Sequence, residues 1–227
     1  MGQGLYRREN EHDACGVGMV VNIRGDKSHE LVEKALAVLE NMRHRGAEGA
    51  DGKSGDGAGI MIQIPHEFIL LQGIPVPEKG RYGTGLVFLP KDQAAAGRML
   101  DLIRNETEAA GCSLMHVREV PVNSSCLGAQ ALRTEPRIVQ IFVTSREYVE
   151  NAELEQRLYR IRRHIELRDS GCYICSLSTR NMVYKGMLTS LQLREYFTDL
   201  TDRWLTSAMA TVHSRFSTNT FPQWSLA

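Results

Sequence analysis

The sequence predicts an α+β fold in which antiparallel sheet is layered against helices. Three observations point there. Short apolar runs of strand character recur along the 227 residues. Helical patterns stand singly or in pairs between them rather than after every strand, which argues against a regular parallel sheet. No repeat, low-complexity segment or linker divides the chain, so one domain is the simplest organisation.

Each element has a local cause. Cys15-Gly-Val-Gly-Met-Val-Val-Asn-Ile23 is an apolar run that reads as a buried strand beginning at a cysteine. Ser28 can cap a helix over about 29–42, whose residues Leu31, Ala35, Val38 and Leu39 share one face. A glycine-rich loop follows from His44 to Gly57, and Ala58 to Ile64 forms a second strand that Pro65 stops. Arg81 to Leu89 is a third strand, after which Pro90 and Asp92 open a helix to about residue 110. Strand-like runs recur at 113–120 and 137–143, and an amphipathic helix is expected over about 146–168. Strands at 173–178 and 181–187 are expected to form a hairpin around Thr179-Arg180. A last strand, 208–214, runs into the loop Phe216–Pro222. The stretch 91–170 reads as an inserted or peripheral α/β layer. The end, Phe221-Pro-Gln-Trp-Ser-Leu-Ala227, follows closely on the most distinctive motif, so the chain reads as the front part of a longer domain.

Composition removes several function classes. The 27 basic and 27 acidic residues cancel, so no field of one sign draws nucleic acid or an anionic membrane. The densest basic run, Arg157 to His164, is flanked by Glu153, Glu155, Glu166 and Asp169 and reads as a solvated helix face. No apolar run approaches the roughly 18 residues of a membrane span, and residues 1–14 lack the apolar stretch of a secretory signal. A cytoplasmic address follows. The five cysteines (Cys15, Cys112, Cys126, Cys172 and Cys175) are an odd number, which argues against a disulfide scaffold. Cys172-Tyr-Ile-Cys175 has redox or half-zinc spacing, but no second Cys-x-x-Cys supplies the remaining ligands. On a strand, positions three apart face opposite ways, so the pair reads as structural rather than as a thiol-redox centre. The histidines lack metal spacing, and no metal site is expected.

Three segments carry chemistry. Cys15 opens an apolar strand directly after a polar segment and before Gly16. It is either a small buried hydrophobe or a nucleophile at a processing junction. Cleavage of the Ala14–Cys15 bond would leave an α-amine of pKa about 7.7–8.0 beside the thiol, suited to general-base work near neutral pH. Next, His44 to Ile60 holds six glycines, which imply positive φ angles or close backbone packing, unless the segment is a flexible surface loop. It is not a P-loop, because Ala47 stands where the frame before Gly52-Lys53-Ser54 requires glycine. Last, Val212-His-Ser-Arg-Phe-Ser-Thr-Asn-Thr220 has a strand delivering Arg215 into a hydroxyl-rich loop, where it can grip a carboxylate through two parallel hydrogen bonds or simply sit at the surface.

In order and spacing, Cys15-Gly16, His44-Arg45-Gly46 with Asp56-Gly-Ala-Gly-Ile60, and His213-Ser-Arg215-Phe-Ser-Thr218 resemble the class II glutamine amidotransferases, which are N-terminal-nucleophile hydrolases. Ser54 to Ile60, Tyr173 to Ser178, Tyr184 to Met187 and His213 to Pro222 are most similar to the subgroup that forms the N-terminal glutaminase domain of glutamate synthase large subunits. The resemblance covers essentially the whole chain. It implies a four-layer αββα sandwich, incomplete at the C-terminus, with residues 1–14 as propeptide and 15–227 as the front of the domain. It implies that Cys15 attacks the side-chain amide of glutamine, that Arg215 holds the α-carboxylate with Thr218 in the same loop, and that Gly16, Arg45 and Gly46 support the nucleophile. The ammonia would serve glutamate synthesis, with a downstream synthase domain and the small subunit of glutamate synthase as partners. No cofactor belongs to this segment; FMN and an iron–sulfur cluster would belong to the remainder of the parent enzyme. The family takes its oxyanion hole from a later Asn-Gly, a dipeptide absent from this sequence. Losing one such donor costs about 100–1,000-fold in rate, so impaired activity is expected. The alternatives are a non-catalytic remnant that keeps the fold, or another class II amidotransferase with a different ammonia acceptor.

Overall fold

The computed structural model describes residues 15–49, 51–168, 171–215 and 221–227. Its strands are β1 (Gly16–Val21), β2 (Ala58–Gln63), β3 (Tyr82–Leu89), β4 (Cys112–Glu119), β5 (Arg137–Ser145), β6 (Tyr173–Ile174), β7 (Asn181–Gly186) and β8 (Met209–Ser214). Its helices are α1 (His29–Asn41), α2 (His66–Leu71), α3 (Gln93–Ala109), α4 (Ala129–Thr134), α5 (Asn151–Arg168) and α6 (Gln192–Tyr196). Two antiparallel sheets result, one in the order β1-β8-β2-β7 and the other β4-β5-β3-β6.

The long helices begin where their caps dictate. The Ser28 hydroxyl accepts from the Leu31 amide at 3.2 Å and opens α1, and the Asp92 carboxylate accepts from the Ala95 amide at 2.8 Å and opens α3. In α1, Leu31, Val32, Ala35, Leu36 and Leu39 are buried against the first sheet. Each large apolar side chain so buried contributes about 1.5–3 kcal/mol. A Cβ added at Gly18 would stand 2.5 Å from Val38, so β1 lies close beneath α1.

The second sheet has a core on each side. Val87, Leu89, Val139, Ile141 and Val143 pack on α3 and α5, while Leu86, Phe88, Ile138 and Phe142 join the larger core shared with α1 and the first sheet. Residues 91–170 are not a layer by themselves: they supply β4, β5, α3, α4 and α5, and the sheet takes β3 and β6 from either side of that stretch.

Three further expectations change. β6 pairs with β3 and β7 with β2, so 173–187 crosses from one sheet to the other and forms no hairpin. The crossing is held by Gly85, where a Cβ would stand 1.6 Å from the Ser176 carbonyl oxygen, and by Glu155, whose Oε1 accepts from the Ser178 and Thr179 hydroxyls at 2.8 and 2.5 Å. The long helix opens at Asn151, because Val149 is buried and its carbonyl accepts from Arg81 at 2.8 Å. β1 is buried on one face only: Val17 and Met19 are 67% and 66% exposed. Since residues 16 and 18 face α1, alternation turns Val17, Met19 and Val21 to the other side, beside Met209, Thr211 and His213 of β8. That face carries no covering layer among the described residues.

Candidate functional site

The site lies where β1 begins and β8 ends. Gly16 pairs with Ser214 and Val17 with His213, so the register runs Cys15 out beside Arg215. Alternation sends both side chains to the face away from α1, and Cys15 is exposed there. Gly57 lies on the other flank of Arg215, its carbonyl accepting from the Arg215 amide at 2.8 Å. One row across the sheet thus reads Cys15, Arg215, Gly57. The next reads Val17, His213, Gly59, Lys185. The two glycines leave the β2 position of each row without a side chain, and Ala227 lies against Gly57, where a Cβ would stand 2.7 Å from its Cα.

Close backbone packing fixes these strand ends. After α1 the chain makes a 3-10 turn, Arg43–Arg45, that brings the Arg45 side chain against Gly16: a Cβ at Gly16 would lie 3.0 Å from the Arg45 Cβ and 3.1 Å from the Met42 sulfur. Gly46 passes over Ser214, where a Cβ would approach the hydroxyl to 2.6 Å. The Ala47 amide then donates to the Arg215 carbonyl at 3.3 Å, and the Asp56 amide to the Ala47 carbonyl at 3.1 Å.

The glycine-rich loop is pinned rather than loose over its described residues. The Asp51 carboxylate accepts from the Ser54 hydroxyl (2.6 Å), the Ser54 amide (2.7 Å) and the Lys53 amide (3.0 Å). These bonds hold its pKa down to about 2. Gln192 of α6 donates to the Lys53 and Cys126 carbonyls at 2.8 and 2.7 Å. Gly55 lies against Leu188, where a Cβ would meet the carbonyl oxygen at 2.2 Å.

Two cations stand over this end of the sheet. Lys185 donates to the Tyr173 hydroxyl at 2.9 Å and to the Ser225 and Ala227 carbonyls at 3.0 and 2.8 Å. The Arg215 guanidinium donates to the Leu226 carbonyl. Burial, then Arg215 and Lys185, lowers the pKa of His213 and keeps its imidazole neutral at neutral pH. The arrangement is an exposed thiol beside an arginine on a positively polarised sheet face, with glycine at the neighbouring β2 positions. It suits a small substrate that carries a carboxylate.

Of the residues singled out from sequence, the structure brings Cys15, Gly16, Arg45, Gly46 and Arg215 to one end of β1 and β8. Thr218 and residues 1–14 lie outside the described residues. Lys185, Ser214 and Trp224 belong to the same neighbourhood but were not singled out. Ser214 and Lys185 fall inside phrases that carried the resemblance, whereas nothing local marks Trp224. Cys172 and Cys175 are buried in different cores, Cys172 beneath the outer helices and Cys175 on the other side, as a strand dictates. Burial pushes the Cys175 thiol up to about 12, which is unsuited to redox exchange at neutral pH. Among the described residues no three His, Cys, Asp or Glu side chains are grouped to hold a metal ion, and no helix is long and apolar enough to cross a membrane.

Comparison with known proteins gives one family, described as glutamine amidotransferases class-II, which matches residues 15–227. The glutamate synthase (NADPH) large chain of Bacillus subtilis (strain 168) is 40% identical over 232 residues, covering 99% of this chain and 15% of the relative. Ferredoxin-dependent glutamate synthase 2 of Synechocystis sp. is 44% identical over 222 residues, covering 96% and 14%. The glutamate synthase (NADH) of Saccharomyces cerevisiae is 40% identical over 242 residues, covering 99% and 11%. The chain thus spans 11–15% of the length of these relatives.

Proposed function

This chain belongs to the class II glutamine amidotransferases, and on that premise we propose that it hydrolyses the side-chain amide of glutamine with Cys15 as nucleophile. The observation that carries the proposal is the strand register, which sets Cys15 beside Arg215 on one face of the sheet. Removal of residues 1–14 frees the Cys15 α-amine, which takes the thiol proton as sulfur attacks the amide carbon. The C–N bond breaks, the proton leaves with nitrogen as ammonia, and a thioester remains. Water then attacks the thioester, giving glutamate and regenerating the thiol. Arg215 holds the α-carboxylate by a charge-assisted pair, and Thr218 contributes to substrate binding. Gly16, Arg45 and Gly46 act through packing: they fix where the Cys15 backbone stands.

The surrounding assembly forms part of the same proposal. Residues 15–227 are the front of a four-layer αββα sandwich. The uncovered face bearing Val17, Met19 and Val21 is the inner face of its first sheet, which explains apolar exposure of 49–67%. In a parent glutamate synthase the ammonia feeds glutamate synthesis in a downstream synthase domain, in the cytoplasm. The small subunit is a further partner, and FMN and the iron–sulfur cluster lie outside these 227 residues. With no Asn-Gly in the sequence, the oxyanion donor of the family is missing and turnover by these residues alone is slow. That absence also favours a second reading, a fold-retaining piece without catalysis.

Intact mass after prolonged incubation at neutral pH, followed by ammonia release from L-glutamine, tests the proposal. A species beginning at Cys15 that releases ammonia supports it. Persistence of the full mass with no release leaves the second reading.

A further inference from the structure

Trp224 is an unusual residue to find buried near the end of a polar turn. It is 5% exposed and its indole N–H donates to the Ala131 carbonyl of α4 at 3.1 Å. Its ring packs edge-on against Phe88 at 5.9 Å and tilted against Tyr196 at 5.5 Å. Gly186, the last residue of β7, makes room for it: a Cβ there would stand 2.6 Å from the indole. Trp224 opens a 3-10 turn, Trp224–Leu226, closed by the Leu226 amide donating to the Gln223 carbonyl at 3.0 Å. The carbonyls of the next two residues face the site cations, with Ser225 accepting from Lys185 at 3.0 Å and Leu226 from Arg215. One aromatic anchor therefore fixes a row of oxygen dipoles against both cations on the Cys15 face.

We propose that Trp224 is a positioning residue for glutamine binding: by seating the 224–226 turn, it makes the Leu226 carbonyl orient the Arg215 guanidinium toward the substrate's α-carboxylate. An arginine side chain has several rotatable bonds, and holding it in one rotamer before binding removes an ordering cost from the binding step. A neutral carbonyl can hold it without cancelling its charge, which a carboxylate partner would do. The inference rests on the proposed role of Arg215.

Calorimetric titration of L-glutamine into the 227-residue protein tests both, using Trp224→Ala, Trp224→Phe, Arg215→Ala and the double variant Trp224→Ala/Arg215→Ala. Near-ultraviolet circular dichroism checks the fold of each. Trp224→Ala is expected to weaken binding about tenfold, the effect of losing one hydrogen bond to a charged group. Trp224→Phe keeps one aromatic ring while losing the bond to Ala131 and part of the indole volume, so it is expected to lose less than Trp224→Ala. Trp224→Ala is expected to add little once Arg215 is gone, because the two residues then act as one unit. Trp224→Ala binding as the parent does, while Arg215→Ala is weakened, overturns the positioning role and leaves the Arg215 role standing. An equal loss from Trp224→Ala with and without Arg215 overturns it too, in favour of a purely structural anchor. Arg215→Ala binding like the parent, or a parent that binds no glutamine, removes the Arg215 role and this inference with it.

Discussion

Gly46 crosses Ser214 so closely that a single added Cβ would come within 2.6 Å of the serine hydroxyl, which is itself buried. The next residue of each segment is then joined by the bond from the Ala47 amide to the Arg215 carbonyl. The contact is specific enough to be tested by suppression. Gly46→Ala is expected to lower stability by about 1–3 kcal/mol, the usual cost of forcing atoms into a packed site. Adding Ser214→Ala removes the one atom in conflict and should restore most of the loss in urea unfolding. Equal stability of single and double variants would mean that the backbone, not the hydroxyl, refuses the methyl group.

Chemical reactivity should separate Cys15 from the other thiols. Burial raises the pKa values of Cys112, Cys126 and Cys175, the last two to about 11 and about 12. Limiting iodoacetamide at neutral pH is expected to label Cys15 first, read by peptide mass spectrometry. Cys15→Ala should abolish that label and any ammonia release while leaving the melting temperature unchanged, since the side chain is exposed. First labelling at Cys126 would contradict the expectation.

The ion pair Arg118–Asp199 joins β4 to the 3-10 turn Thr198–Thr201 through bonds of 2.7 and 2.8 Å, with side chains only 11% and 3% exposed. The Tyr184 hydroxyl adds a third bond to Asp199 at 3.1 Å and brings in β7 from the other sheet. Asp199→Ala strands a buried guanidinium and is expected to cost about 3–5 kcal/mol in urea unfolding. A loss below about 1 kcal/mol would make the pair behave like a solvent-screened one.

Acid should loosen the Asp51 loop in a defined window. The Ser54 hydroxyl and amide, then the Lys53 amide, favour the carboxylate and lower its pKa from 3.8 to about 2. A depressed folded-state value stabilises the fold above the unfolded value, and the contribution fades as pH falls from 3.8 toward 2. Asp51→Asn should therefore melt earlier than the parent at neutral pH, with the gap closing across that window. A gap independent of pH would show that hydrogen-bond geometry, not charge, holds the loop.

What could be read in advance was whatever is encoded locally. Ser28 and Asp92 announce their helices because a cap needs only its own next turn, and the apolar runs at Ala58 and Tyr82 announce strands. The candidate site follows the same logic: Cys15, Gly46 and Arg215 sit in short local phrases, and the structure brings them to one end of β1 and β8. The hairpin failed because the fate of residues 173–187 is settled at a distance, by Gly85 under Ser176 and by Glu155 over Thr179. Helices α2, α4 and α6 have five or six residues, too few to show a helical period. Trp224 looks like a dangling aromatic until Gly186, Phe88 and Ala131 are seen to form its seat.

β8 lies between β1 and β2, although it comes last among the strands of the described residues. During synthesis, the strand that begins at Gly16 waits for β8, its one sheet partner among the described residues, whose residues 209–214 emerge after a delay of roughly 10–40 s at ordinary elongation rates. For that interval the thiol of Cys15 and the guanidinium of Arg215 do not belong to one place. Any chemistry that needs both is barred from the nascent chain, so the order of strands acts as a clock on when such chemistry can begin.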